Sequence, residues 1–155
     1  MREIKFRAKG IKPSNNDEWY FGDLIQARDE DGIVHYYIIE DQYSTTRNTI
    51  KLDTCASPEV DEKTIGQYTG LKDKNKEEIY EGDIVQVNYR KGFKYGQPVY
   101  EKFVAEVIYS ASYASFIIVN CKPDNIKHEC ENLGDYKDIE VIKTKYDNPE
   151  LLEEE

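Results

Sequence analysis

The 155-residue chain has few residues of the types that carry most enzyme chemistry: it contains 2 histidines, 3 cysteines, 1 methionine and 1 tryptophan. It also lacks a G-x-S-x-G elbow, a P-loop and a dinucleotide-binding glycine fingerprint, which are the minimal parts of common hydrolases, NTPases and dehydrogenases. No stretch approaches the roughly 20 apolar residues that a membrane helix needs. We therefore expect neither a membrane protein nor an enzyme of these classes.

Charge and cysteine content indicate which partners and which cellular compartment to expect. The formal net charge of −10 opposes nonspecific attraction to phosphate backbones and anionic membranes, because like charges repel. Residues 1–12 and 88–102 run against this trend, since each segment carries more Lys and Arg than acids. The cysteines lack the dense spacing of a disulfide scaffold, and the charged start leads into no apolar signal-peptide core. These features predict a cytoplasmic protein with reduced thiols and a local basic face on an acidic body.

Alternation of apolar and charged residues favours β-strands in the first part of the chain. Residues 4–8 alternate in this way, which predicts an N-terminal strand with one buried face. A cluster of turn residues at 29–32 separates two apolar runs and predicts a hairpin. The tripeptide Ser-Pro-Glu at 57–59 has the N-cap, proline and early acid of a helix start, so we expect at most a short helix there.

The second part of the chain also predicts short strands. The polar segment 72–78 suits a turn between two strands, and residues 92–98 form an aromatic, glycine-containing and basic excursion that predicts a long loop or a twisted β arm. Residues 103–109 alternate, and apolar runs at 116–119 and 139–142 predict two more strands. The fold class is therefore mainly β with minor α: a small curled sheet or SH3-like barrel with an N-terminal β lobe.

The length fits one domain of ordinary size. We expect a single domain over 1–155, with sub-lobes at 1–60 and 61–145 and a C-terminal tail at 146–155. The 13 tyrosines and 5 phenylalanines can bury a large area per residue, so they compensate for the polar composition. A folded chain is therefore expected despite the high charge.

One long block carries a specific resemblance. Residues 64–87, TIGQYTGLKDKNKEEIYEGDIVQV, combine GQYTGL, a DKN turn and IYEGDIV. The segments REIKFRA at 2–8, WYFGDLI at 19–25 and YDNPELL at 146–152 occur around it in the matching order. With these segments the sequence resembles the YopX family of phage and prophage proteins over nearly its whole length.

The resemblance implies a phage- or prophage-encoded accessory protein in a bacterial host cell, with no established catalytic residues and no cofactor. Lys76 stands where family members often have Gly, so we expect Asn75 to adopt the left-handed turn conformation instead. The motif glycines permit positive φ or close approach, the tyrosines can pack beside a sheet, and an aspartate can cap a turn. The positions assigned a structural role are Gly66, Gln67, Tyr68, Gly70, Leu71, Asp73, Tyr80, Glu81, Gly82 and Asp83.

Two groups of residues offer metal or acid–base chemistry, and each has a simpler interpretation. Cys121, His128 and Cys130 are zinc-ligand types, but their spacing is not that of paired ligands and a fourth ligand is missing. His35 lies in an alternating run, where packing at a sheet edge is the ordinary role. We therefore predict no metal ligand and no catalytic residue.

The excursion mixes cations with aromatic rings. This mixture is typical of a platform for single-stranded nucleic acid, and equally of a twisted hairpin whose aromatics pack on the core or on a neighbouring subunit. The candidate contacts with nucleic acid or with a partner are Arg90, Lys91, Phe93, Lys94 and Tyr95.

The leading hypothesis is a noncatalytic protein-interaction module that contacts an unidentified phage or host protein and self-associates through a β arm. The first alternative is a nucleic-acid-binding module that uses the basic excursion. The second alternative is an enzyme built on carboxylates and a metal, because the 31 acidic residues offer many pairs that the sequence does not place in space.

Overall fold

The computed structural model describes residues 3–11, 18–40, 58–120 and 130–147. Within these ranges strands account for nearly all regular structure, and the helical pieces are two single 3-10 turns. The strands form two antiparallel sheets. The prediction of a mainly β chain with minor helix is confirmed.

The chain divides into two compact units, Met1–Tyr68 and Thr69–Glu155. The strands of the first unit are β1 (Phe6–Lys9), β2 (Trp19–Arg28), β3 (Val34–Ile39) and the start of β4 (Gly66–Lys72), which continues into the second unit. β2 pairs with β3 on one side and with β1 on the other, and β1 also pairs with the start of β4. The predicted N-terminal strand and first hairpin are confirmed. The predicted lobes at 1–60 and 61–145 stay a prediction.

The first unit has a small apolar core. Ala8, Ile38 and Val60 are buried at its centre, and they come from β1, from β3 and from the extended segment that follows Pro58. β2 and β3 approach so closely at Gly22 that a Cβ there would lie 1.8 Å from the Ile39 carbonyl oxygen. Glycine is therefore required at that rung of the hairpin.

The helix expected to start at 57–59 begins later in the chain. Glu59 and Val60 are extended and form isolated bridges with Tyr37 and Gly10, so their backbone groups serve the sheet and cannot begin a helix. The helical residues are instead a 3-10 turn at Glu62–Thr64, capped by Asp61, whose carboxylate accepts a 3.0 Å hydrogen bond from the Lys63 amide. The predicted position was wrong because tertiary pairing overrode a local cap signal.

The second unit is built on a five-stranded antiparallel sheet. This sheet contains β6 (Asp83–Lys94), β7 (Gln97–Ser110), β8 (Ser115–Asn120), β9 (Cys130–Asn132) and β10 (Ile139–Thr144), with a 3-10 turn at Leu133–Asp135. The preceding strand, β5 (Glu78–Tyr80), pairs with β4 in the other sheet. The order in the five-stranded sheet is β10-β6-β7-β8-β9. The predicted strands at 103–109, 116–119 and 139–142 are confirmed.

The core of the second unit follows the predicted alternation. Phe103, Ala105 and Val107 point to one side of β7 and are buried with residues of β6, β8 and β10. Phe103 meets Tyr89 and Tyr136 edge to face, with ring centroids 5.6 and 6.0 Å apart. Such pairs add about 1 kcal/mol each beyond their area burial.

Two observations complete the fold. Among the described residues, no helix has the length and apolar character that crossing a membrane would require. Cys121, His128, Ser57 and the tail from residue 148 onward lie outside the described residues, as does the side chain of Cys130.

Candidate functional site

Asp73 organises the turn between β4 and β5. Its Oδ1 accepts hydrogen bonds from the amides of Asn75 at 2.7 Å and Glu77 at 2.9 Å. Its Oδ2 accepts a 3.1 Å bond from the Val141 amide of β10, and the carboxylate is almost completely buried. One side chain thus closes the turn and joins it to the five-stranded sheet.

The left-handed residue of this turn is Lys76, with φ 70°. The expectation that Asn75 takes this conformation was wrong. Asn75 instead donates its amide to Asp73, which holds it in the preceding position of the turn. The neighbouring Lys74 donates its own amide to the Ile139 carbonyl at 2.9 Å and pairs with Glu140 at 2.5 Å, so the turn is tied to β10 by both backbone and side chain.

A second organised turn joins β5 to β6. Gly82 has φ 83°, donates its amide to the Val107 carbonyl at 2.8 Å and accepts a 3.0 Å hydrogen bond from the Lys145 amide. A Cβ at Gly82 would lie 2.7 Å from the ring of Tyr146, so close approach as well as φ selects glycine. Asp83 is fully buried, and its Oδ2 accepts a 2.7 Å bond from the Tyr80 amide.

The other motif residues lie along the strands beside these turns. Tyr68 is buried, with the Lys5 ammonium 5.3 Å from its ring centroid, and Gln67 pairs with Phe6 of β1. Gly66 is also buried, whereas Gly70 and Leu71 are exposed. Glu81 accepts a long 3.4 Å hydrogen bond from the Tyr109 amide.

The excursion at 92–98 is a β arm, which is one of the two structures predicted for it. β6 and β7 pair along the whole arm out to Lys94 opposite Gln97, and Tyr95 and Gly96 form a two-residue turn with φ 52° and 80°. The pairing shifts between Arg90 and Gly92, which marks a bulge at Lys91. The candidate contact residues therefore lie together on the distal part of one hairpin.

The bulge sorts these residues onto two faces. Arg90 lies opposite Tyr100, and Phe93 lies opposite Pro98, so these four share a face with Lys102, since antiparallel partners and residues two apart point the same way. We call Arg90, Phe93, Pro98, Tyr100 and Lys102 the arm face. The Arg90 guanidinium lies 5.1 Å from the Phe93 ring centroid, and all five side chains are exposed.

On the opposite face of the arm, Glu101 holds two neighbouring side chains. Tyr89 donates its hydroxyl to Glu101 at 2.9 Å, and Lys91 forms an ion pair with the same carboxylate. The contact with Lys91, followed by that with Tyr89, lowers the pKa of Glu101, while burial followed by the Glu101 hydrogen bond raises the pKa of Tyr89. Lys91 is thus neutralised, unlike Arg90 on the arm face.

The first unit holds an ionisable cluster that sequence reasoning missed. The ring of His35 lies between Glu59, 2.6 Å from Nδ1, and Asp29, 3.2 Å from Nε2. Hydrogen bonding to Glu59, then to Asp29, raises the pKa of His35, and the His35 contact lowers the pKa of Asp29. No local pattern pointed to this cluster, because Glu59 reaches His35 only through the bridge between Tyr37 and Glu59.

The exposed side chains of the arm supply a binding surface. In the described part of the chain, no group of three His, Cys, Asp or Glu side chains is placed to hold a metal ion. The histidine cluster consists of surface groups whose hydrogen bonds satisfy one another. The exposed cations and rings of the arm face are the clearest candidate contact site.

Comparison with known proteins assigns the chain to a family. No curated protein matches the chain. Among solved structures, the chain is similar to protein EF1440 from Enterococcus faecalis, with 26% identity, 98% of this chain and 99% of that chain covered, and a TM-score of 0.41. The sequence model of the YopX protein family matches residues 5–153. Because this match spans nearly the whole sequence, the chain belongs to the YopX family.

Proposed function

We propose that this YopX protein is a noncatalytic binding module whose β6–β7 arm contacts a partner protein, encoded by a phage or its bacterial host, and also mediates self-association. The observation that carries the proposal is Tyr95 at the arm tip. Its side chain is 95% exposed, and its backbone is left-handed with φ 52°.

The conformation of Tyr95 opposes local stability. A non-glycine residue in the left-handed region costs about 1 kcal/mol, and Asn or Gly would suit the first position of this two-residue turn better. A large aromatic side chain left in water adds no burial in return. A strained and exposed tyrosine therefore suggests a contact made outside the chain.

The composition of the arm supports a protein contact. Phe93 and Tyr100 are 65% and 59% exposed, and they lie beside Arg90 on the arm face. Aromatic residues and arginine are the types enriched at the energetic centres of protein interfaces. The two-stranded pairing out to Lys94 presents these side chains on a regular backbone, which lowers the entropy cost of binding.

The test compares two left-handed positions. We would measure molar mass by light scattering on a sizing column for the wild type, Tyr95→Asn and Lys76→Asn, together with capture of partner proteins from host cells. The wild type and Lys76→Asn should exceed the 18.1 kDa monomer and capture the same protein, while Tyr95→Asn should lose both properties. A wild-type monomer that captures nothing would overturn the proposal.

A further inference from the structure

Resting on the proposed function, we infer that the arm face binds an acidic segment of the partner protein, with Arg90 and Lys102 contacting carboxylates and Phe93 and Tyr100 packing on apolar side chains between them. The juxtaposition that carries the inference is two exposed cations beside two exposed rings on one face of a hairpin.

The cations of the arm face are available for a ligand. Arg90 stacks over Phe93 and Lys102 is exposed, and within the described residues neither forms an ion pair. On the opposite face, by contrast, Lys91 is held by Glu101. The bulge at Lys91 separates the two sets: Arg90 and Lys102 lie on the arm face, whereas Lys91 and Lys94 lie on the side of Glu101, whose carboxylate pairs with Lys91.

Charge complementarity indicates an acidic ligand. The chain carries a formal net charge of −10, yet its segment 88–102 holds four cations and one acid. Cations concentrated on an exposed hairpin of an acidic protein attract a negatively charged partner locally, while the body repels one that lies across the rest of the surface. The ligand is therefore a short acidic segment and not an extended polyanion.

The same geometry favours protein over nucleic acid. Binding along a nucleic acid strand neutralises a row of phosphates, and its affinity rises with the number of cations that contact them. The arm face offers two, Arg90 and Lys102, and the net charge of the body opposes the neighbouring phosphates. Two cations flanking two rings instead match carboxylates spaced by apolar side chains in an extended peptide.

The experiment measures fluorescence anisotropy of the full-length protein with three probes. They are a labelled peptide of alternating glutamate and leucine, its counterpart with glutamine in place of glutamate, and an oligothymidylate with the same number of charges. The acidic peptide should bind at low salt, about tenfold more tightly than the glutamine peptide, and the affinity should fall as salt is raised.

A matched pair of variants locates the contact. Arg90→Gln with Lys102→Gln should weaken binding of the acidic peptide about tenfold, because two exposed charge contacts are lost. Lys63→Gln with Lys76→Gln removes the same charge from exposed positions outside the arm and should leave the affinity unchanged. Phe93→Ala should also weaken binding, at both low and high salt.

Four outcomes would overturn the inference: no binding of the acidic peptide, wild-type binding of that peptide by the arm charge variant, equal loss in both charge-removal variants, or tighter binding of the oligothymidylate than of the peptide. Each is distinguishable from failure of the proposed function. If protein capture still depends on Tyr95 while the charge variants behave like wild type, the arm binds a protein whose contact surface is not acidic.

Discussion

Two hairpins of the second unit, β4–β5 and β6–β7, place a non-glycine residue in a left-handed turn in opposite surroundings. Both turn through a non-glycine residue at positive φ, Lys76 between β4 and β5 and Tyr95 between β6 and β7. Around Lys76 the buried Asp73 carboxylate accepts hydrogen bonds from the turn and from β10. Tyr95 instead projects into solvent. One turn is thus stabilised by a buried carboxylate, whereas in the other a positive φ that the two-residue hairpin requires falls on an exposed tyrosine.

Removing the carboxylate of Asp73 should produce the largest effect. Asp73→Ala leaves the amides of Asn75, Glu77 and Val141 without their acceptor in a nearly buried site. We expect the free energy of unfolding to fall by about 3 kcal/mol, measured by urea denaturation. Asp73→Asn keeps one carbonyl acceptor and should lose less. Equal stability of Asp73→Ala and the wild type would show that the two turns do not differ as described.

Adding a methyl group at Gly82 should have the next largest effect. Gly82→Ala combines the cost of a positive φ with a contact of 2.7 Å to the Tyr146 ring, so we expect a loss of about 2 kcal/mol in the free energy of unfolding. Gly32→Ala is the matched control, because Gly32 has φ 84° but no neighbouring atom within 4 Å of the added carbon. It should cost about 1 kcal/mol. Identical losses would mean that the ring moves away freely.

Replacing Tyr95 or Lys76 by Asn tests whether the two left-handed residues differ in their role. Tyr95→Asn and Lys76→Asn should each raise the free energy of unfolding by about 0.5 kcal/mol, because Asn tolerates positive φ better than Tyr or Lys. Only Tyr95→Asn should also reduce partner capture. Thermal unfolding measures the change in stability. A Tyr95→Asn variant that is more stable and still captures the partner protein fully would contradict the prediction.

The smallest predicted effect is a pH dependence of the first unit. The raised pKa of His35 gives stability that is fully present below the ordinary histidine pKa and is lost as pH rises through the raised value. The lowered pKa of Asp29 gives stability that is present above the ordinary aspartate pKa and is lost as pH falls through the lowered value. The contacts of His35 therefore contribute most to the free energy of unfolding at pH values between the ordinary pKa of aspartate and the ordinary pKa of histidine.

The check is the melting temperature against pH for the wild type and His35→Gln. The difference between them should be widest at mildly acidic pH and should narrow toward alkaline pH. Lys143→Gln alters an exposed cation of β10 and serves as the control, since its profile should run parallel to that of the wild type. A difference in melting temperature between His35→Gln and wild type that stays constant with pH would show that the protonation of His35 does not affect stability.

Local sequence patterns predicted the strands well and the caps poorly. The alternation at 103–109 predicts β7 because one face of that strand enters the core and the other does not. The cap signal at 57–59 failed, because Glu59 and Val60 pair with distant residues. A backbone group that is already bonded in a sheet cannot also begin a helix, and a local signal carries no information about that competition.

Local sequence patterns also predicted the candidate site only in part. The mixture of cations and rings at 90–95 identified the arm, since composition alone distinguishes it from its surroundings. Which residues share a face depends on the bulge at Lys91, which the pattern of residues does not reveal. The sequence could therefore nominate five contact residues but could not separate Lys91, paired with Glu101, from Arg90 on the cationic face.

By itself, the sequence determined the β class, the hairpin positions and the family block, because these depend on the period of apolar residues and on turn chemistry within a few positions. Only the tertiary structure decided that Asp73 binds the amide of Val141, that His35 lies between two carboxylates and that Arg90 lies beside Phe93 on the arm face. The contacts of Asp73 with Val141 and of His35 with Glu59 join residues far apart in the chain, and the position of Arg90 depends on the register shift at Lys91. Their geometry exists only after the strands have paired in one register.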